Sequence, residues 1–219
     1  MDTEKIHILQ EQVLNAALTC VKKGVIHGTS GNISMADEEK KYAVITPSNI
    51  PYEALKPEDL PVVRISDGDW VKGNYKPSSE TPMHTAILRA KPKMFAVVHT
   101  HALYSTVMSL CVDEIPCVAA ASSPYTPVKV APFDLPSSDA IAEGAVKVMG
   151  KNCVVLLKNH GLIATGPSLD VAMMVAEYTE ENTQTAYLAQ LAGKMTAVPE
   201  ESYKIMHDRA AIRLGLYEE

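Results

Sequence analysis

The chain of 219 residues carries 26 acidic and 20 basic side chains, a formal net charge of −6, which argues against a general nucleic-acid binder because phosphate contacts need clustered Lys and Arg. A hydrophobic fraction of 47% and a charged fraction of 21% supply a sizeable core and exclude a disordered chain. No apolar run approaches the roughly 18 residues a membrane helix needs.

The start, MDTEKIHILQEQVL, is charged and amphipathic and lacks a signal-peptide core. Ile6, Leu9, Val13, Leu14, Ala17, Leu18 and Val21 fall at helical spacing, which predicts a helix over 4–23 ended by Gly24. HGTSGNIS (27–34) follows, rich in Gly, Ser, Thr and Asn. YAVITPS (42–48) reads as a strand entering a turn, LPVVRIS (60–66) as a strand, and DGDWVKG (67–73) as a turn with a short strand. KPSSETP (76–82) is a loop leading into a helix that runs to about Lys91, with Ser79 or Glu80 near its cap and Pro82 in its first turn.

MFAVVHTH (94–101) is predicted as a strand and ALYSTVMSL as a short helix. IPCVAA and TPVKVAP read as short extended segments, and 137–149 as a helix opened by Ser137-Ser138-Asp139. CVVLLKNHG (153–161) reads as an apolar strand with a polar tip. A further strand lies between Gly161 and GPSLD, then a long helix over about 169–193 and a last one over roughly 200–212. The four cysteines, Cys20, Cys111, Cys117 and Cys153, form no C-x-x-C pair and read as buried free thiols of a reducing compartment. There is no repeat, low-complexity tract or linker. The expectation is a soluble cytoplasmic protein made of one α/β domain over 1–219, with a mixed or antiparallel sheet.

If 95–101 is extended, His99 and His101 project from one face at the strand's end. Alone, such a pair is more often incidental than ligating. His160, read as the tip of a second apolar strand and followed by Gly161, adds a third imidazole. Three histidines with an open position suit a catalytic zinc site. Glu80, in a loop of small hydroxyl residues, is the best carboxylate for the set, although the same residue would also serve as a plain N-terminal helix charge. His7, His84 and His207 read as ordinary helical histidines, and His27 as a residue flanking the Gly-rich loop. GTSGN (28–32), TPSN (46–49) and PSSE (77–80) are dense in backbone, hydroxyl and amide donors, and would suit a phosphomonoester or serve as bland turns.

Taken together, HGTSGNIS, ITPSNIPYE, KPSSETPMH, VVHTHA and KNHGLIATG, in this order and spacing, resemble the class II aldolase/adducin family, which includes L-fuculose-1-phosphate aldolase. The resemblance runs from the first helix to about residue 195. It implies a three-layer α/β/α fold around a central, mainly antiparallel sheet. It implies Zn2+ bound by His99, His101 and His160, with Glu80 as an acid/base that also ligates the metal. A three-imidazole site also accepts Co2+ or Mn2+. Thr29, Gly31, Asn32, Ser48, Asn49, Ser78 and Ser79 match the family's phosphate-binding loops. The family usually forms homotetramers with active sites at subunit interfaces, and its mobile C-terminal tail, here about 196–219, carries an active-site tyrosine for which Tyr217 is the candidate.

The implied reaction is reversible retro-aldol cleavage of a ketose 1-phosphate to dihydroxyacetone phosphate and an aldehyde. One departure bears on the sugar. Fuculose-phosphate aldolases carry a tyrosine just past the I-P, whereas this chain reads IPCVAAASSPY with none before Tyr125. Small Ala119, Ala120 and Ala121 leave room for a different or more apolar group. That points from L-fuculose 1-phosphate toward a 5-deoxypentulose or methylthioribulose 1-phosphate. The alternatives are an epimerase, dehydratase or decarboxylase on the same scaffold, and a non-enzymatic adducin-like domain.

Overall fold

The computed structural model describes residues 2–216. Helix α1 (Thr3–Lys22) begins where the Asp2 carboxylate accepts the Glu4 amide, a side-chain cap of the first free N–H groups. Strands β1 (Gly31–Ala36), β2 (Tyr42–Ile45), β3 (Val62–Arg64) and β4 (Trp70–Lys72) follow, then α2 (Thr81–Ala90), β5 (Ala96–Thr100) and α3 (Leu103–Cys111). After β6 (Glu114–Ile115) and β7 (Val128–Ala131) come α4 (Asp139–Met149), the hairpin β8 (Val154–Leu157) and β9 (Gly161–Gly166), α5 (Leu169–Leu191) and α6 (Glu200–Leu214).

The strands form a nine-stranded sheet in the order β4-β3-β2-β1-β5-β9-β8-β7-β6. Every pairing is antiparallel except β7 with β8. Alternation along the strands divides the core. Ala96 and Val98 of β5 join Val13, Ala17, Ala172 and Val175 of α1 and α5 on one face. Val97 joins Met83 and Ile87 of α2 and Ala145 of α4 on the other. The result is the three-layer α/β/α arrangement, with β1, β5 and β9 adjacent in the middle of the sheet.

Two expectations change. HGTSGNIS is a loop only to Ser30, and Gly31 onward is a strand. Its Gly, Asn and Ser residues are poor strand formers, but pairing with β2 on one side and β5 on the other overrides local preference. His160 is not a strand end. β8 stops at Leu157, and residues 158–160 turn the hairpin, with Asn159 in the left-handed region and the His160 amide donating to the Leu157 carbonyl at 3.1 Å. IPCVAA is still in the extended region at Ala119, and a 3-10 helix, Ala120–Tyr125, follows it. Among the cysteines, Cys111 is exposed, and the other three are buried.

Two glycines make the central strands fit. Gly31 has φ +127, and a Cβ there would lie 2.8 Å from the His99 carbonyl oxygen. At Gly161 a Cβ would collide with the carbonyl oxygen of Thr100. The described part of the tail packs α6 on the 120–125 segment, with the Tyr203 hydroxyl donating to the Thr126 carbonyl and the Val198 amide donating to Cys117 at 2.8 Å. Tyr217 lies outside the described residues.

Candidate metal centre

Antiparallel pairing of β1 with β5 sets Asn32 opposite His99 and Ser34 opposite Val97, so all four project from one face of the sheet. Helix α2 covers that face. Glu80 is its N-cap, but the carboxylate makes no capping bond. Instead Ser78 meets the start of the helix, its Oγ accepting from the Glu80 amide at 3.2 Å and its carbonyl from the Thr81 amide at 3.1 Å. The carboxylate is thereby released to turn inward, which removes the reading of Glu80 as a plain helix-terminal charge.

Four ligand-type groups then converge. Glu80, His99, His101 and His160 each offer one atom, and these atoms lie within 4.8 Å of one another. His99 Nε2 is 3.2 Å from Glu80 Oε2, His160 Nε2 is 3.2 Å from Glu80 Oε1, and His101 Nε2 is 3.1 Å from His99 Nε2. The three rings stand edge-on to one another with centroids 4.8–4.9 Å apart. Strand geometry delivers His99 and His101 as the i, i+2 spacing requires, with His101 one residue past β5. The hairpin turn delivers His160.

The donor chemistry fits a cation. His99 Nδ1 lies 3.0 Å from the Leu162 carbonyl oxygen, which only accepts, so the proton sits on Nδ1. Burial drives His99 down to about 3, against the pull of Glu80, so at neutral pH its Nε2 is a bare lone pair. That lone pair faces another imidazole nitrogen and a carboxylate oxygen. Among the described residues, Glu80 Oε1 and His160 Nδ1 are buried without a hydrogen-bond partner. Burial pushes the Glu80 carboxyl up, but the His160 imidazole and the Asn32 amide outweigh it and hold it well below the usual carboxylate range. Three imidazoles and one carboxylate aimed at one point suit zinc. Exposure rises from buried Glu80 and His99 to exposed His101, so the cluster opens to solvent on the His101 side.

The hydroxyl-rich loops are joined to this cluster and to each other. The Ser48 amide donates to the Lys76 carbonyl at 3.2 Å, and the Ser78 amide to Thr46 at 3.1 Å. Ser48 Oγ donates to the Pro77 carbonyl at 3.2 Å and accepts from the Ser79 amide at 3.0 Å. Asn32 Nδ2 donates to Glu80 Oε2 at 2.8 Å. Ser48 thus turns its side chain toward the neighbouring loop, Ser78 toward the Glu80 amide of its own segment, and Asn32 toward the carboxylate. Thr29, Asn49 and Ser79 are exposed. Gly31 offers backbone, with its carbonyl taken by the Tyr52 hydroxyl at 2.7 Å. Tyr125 takes no part, since it is buried with its hydroxyl 3.2 Å from Met174 Sδ.

Sequence reasoning passed over two residues, His84 and Ser34. His84, read as an ordinary helical histidine, is 1% exposed and bonded at both ring nitrogens, to Ser34 Oγ and to Asn32 Oδ1. The available signal was its spacing: it lies four residues after Glu80 and so on the same helix face.

Burial drives His84 down to about 4. The unfolded chain takes up protons near pH 6.5, whereas folded His84 and His99 refuse them until about 4 and about 3. The folded state is therefore penalised as pH falls below 6.5, and the penalty grows until about pH 3–4. With chelator present, the melting temperature at pH 5 should lie on the order of 10 °C below that at pH 7.5. Equal melting temperatures would show that these rings titrate normally in the fold.

The family described as the Class II Aldolase and Adducin N-terminal domain matches residues 11–187. A 5-deoxy-D-ribulose 1-phosphate aldolase of Bacillus thuringiensis serovar kurstaki is 33% identical over 193 residues, 88% of this chain and 90% of that protein. An L-ribulose-5-phosphate 4-epimerase of Salmonella paratyphi B is 30% identical over 201 residues, 83% of this chain and 85% of that one. A solved structure of an L-fuculose 1-phosphate aldolase matches with a TM-score of 0.88 at 27% identity, covering 96% of this chain and 97% of that chain.

Proposed function

This chain belongs to the class II aldolase and adducin family, and from that premise we propose that it reversibly cleaves a ketose 1-phosphate, foremost 5-deoxyribulose 1-phosphate, to dihydroxyacetone phosphate and an aldehyde. The observation that carries this reading is the convergence of Glu80, His99, His101 and His160 within 4.8 Å on a buried face that opens at one side. The three histidines and Glu80 would hold a zinc ion, with Co2+ or Mn2+ as substitutes. When bound, that ion supplies positive charge that favours negative charge on the substrate's ketone and neighbouring hydroxyl oxygens.

The chain's own groups do the rest. Cleavage breaks the C3–C4 bond: the C4 hydroxyl gives its proton to solvent and becomes the aldehyde, and the bonding pair stays on the C1–C3 half, where C3 takes up one proton in exchange. Glu80 carries a proton to C3 in this direction and removes one from C3 in condensation. The cluster holds the carboxylate ionised, as removal of that proton requires. For the phosphate we assign the loops around Thr29, Gly31 and Asn32, Ser48 and Asn49, and Ser78 and Ser79. Thr29, Asn49 and Ser79 would reach the phosphate. Ser48, Ser78 and Asn32, already bonded within the protein, would shape the loops around it.

Neutral 5-deoxy and methylthio ends suit a site whose counterpart of the fuculose-enzyme tyrosine is absent and whose following residues are Ala119, Ala120 and Ala121. Assembly as a homotetramer with sites at subunit interfaces, a cytoplasmic location, a single domain over 1–219 and a contact from Tyr217 belong to the same reading. The epimerase alternative is supported by the Salmonella relative, whereas Glu80, at a position where the family's epimerases carry aspartate, favours the aldolase. A degraded, adducin-like domain is disfavoured by the complete ligand set.

The test is a panel of 5-deoxyribulose, methylthioribulose and L-fuculose 1-phosphates, with dihydroxyacetone phosphate release coupled to NADH oxidation and L-ribulose 5-phosphate as the epimerase control. We expect turnover of the 5-deoxy or methylthio compound, and a kcat/KM about 10–100-fold lower for the sugar without phosphate, the scale of losing one charge-assisted hydrogen bond. Zinc-loaded protein that releases no dihydroxyacetone phosphate from any member would end the proposal.

A further inference from the structure

We propose that His84 is a positioning residue: acting through Asn32, it fixes the orientation of the Glu80 carboxylate by a one-way chain of hydrogen bonds that begins at Ser34. The proposal rests on the reading of Glu80 as the proton carrier. Four side chains form the chain. Ser34 Oγ is 2.6 Å from His84 Nδ1, His84 Nε2 is 2.5 Å from Asn32 Oδ1, and Asn32 Nδ2 is 2.8 Å from Glu80 Oε2. All four residues are buried, with Ser34 0% and His84 1% exposed.

The direction of every proton follows from the carboxylate. An ionised carboxylate only accepts, so the Asn32 atom facing it must be the amide nitrogen, which donates. Asn32 Oδ1 then points the other way and only accepts, so His84 Nε2 must carry hydrogen. A buried imidazole with no carboxylate against its ring is neutral, which leaves Nδ1 as a bare acceptor for the Ser34 hydroxyl. With a neutral imidazole, no other assignment satisfies all three contacts.

The arrangement addresses a specific ambiguity. An asparagine amide has nearly the same shape with its nitrogen and oxygen exchanged. Turned over, it would present oxygen to the Glu80 carboxylate, and the two would repel. The His84 Nε2–H admits only the orientation in which the nitrogen reaches Glu80. Neither His84 nor Ser34 is exposed enough to meet substrate, so their part is to aim, and Glu80 reacts.

His84→Phe keeps a ring in the space but removes both nitrogens. His84→Gln places an amide nitrogen near the former Nε2. The two variants are made in the full chain, alone and with Asn32→Ala, and loaded with zinc. We expect His84→Phe to lower kcat about 10–100-fold, as loss of one hydrogen bond to a charged group does, with KM for the ketose 1-phosphate and zinc per chain within about two-fold of the parent. His84→Gln recovers most of the loss. In the Asn32→Ala background His84→Phe costs less than about two-fold more, since effects that act through one residue do not add.

Equal losses in both backgrounds, or no recovery with Gln, would overturn the proposal in favour of mere packing. Nitrogen NMR of the unmodified, metal-free protein gives a reading that needs no substrate: the Nε2–H tautomer of His84 supports the chain, and the Nδ1–H tautomer refutes it. An aldolase-inactive parent that still shows the Nε2–H tautomer separates failure of the assigned reaction from failure of the network.

Discussion

Glu80→Gln is expected to lower kcat for ketose 1-phosphate cleavage by about 10²–10⁴-fold, the usual range for a lost general acid or base, with zinc still close to one per chain. Glutamine matches the volume of glutamate and still offers an oxygen to the Asn32 amide, so the buried contacts survive. What it cannot do is hold or release a proton at neutral pH. The three imidazoles remain, and three protein ligands are enough for catalytic zinc. Steady-state kinetics and metal analysis on one preparation decide the matter. Unchanged turnover would remove Glu80 from the chemistry, whereas loss of the zinc with turnover would make it a ligand first.

His99→Ala should empty the centre. His99 is 0% exposed, its orientation is set by the Leu162 carbonyl, and its Nε2 faces both His101 and Glu80. Loss of a group that merely orients a ligand weakens metal binding by about 10–100-fold, and loss of the ligand itself should exceed that. Zinc per chain should fall to near zero after dialysis and activity by more than about 10³-fold. The variant also leaves the Leu162 carbonyl without its side-chain donor, at a cost of roughly 1–3 kcal/mol. His101→Ala serves as the comparison, because His101 is exposed and its loss should empty the site without that cost. A His99→Ala protein that keeps zinc and activity would mean that the cluster does not hold the metal.

The parts legible in the sequence are those with a short-range signature. Periodicity marked the helices, and the apolar runs marked β2, β3, β5 and β8. The H-x-H pair marked two of the imidazoles because a strand puts i and i+2 on one face. His160, read as the tip of a second apolar strand, and Glu80, in a loop of small hydroxyl residues, joined them from local pattern, and the family resemblance assigned their roles. What stayed hidden depends on distant pairing. β1 is a strand because β2 and β5 flank it, which nothing within GNISMA announces. His84 looked ordinary because its partners, Asn32 and Ser34, reach it only through the register of β1 against β5. Hydroxyl-rich loops read alike whether they grip a ligand or one another, and in this fold the Ser48 side chain and the Ser78 amide do the latter.

The strand order also governs when the centre can come into being. β1, β5 and β9 lie side by side at the middle of the sheet, yet between them in the chain run six other strands and three α-helices. Bringing them together means closing long loops before any contact rewards it, which slows folding. A nascent chain that has not yet exposed residue 160 has no complete binding place for an ion, and no excised fragment between Asn32 and Glu80 has one either. An ion bound by Glu80, His99, His101 and His160 would therefore be captured late in folding, and by mass action it would then stabilise the closed sheet.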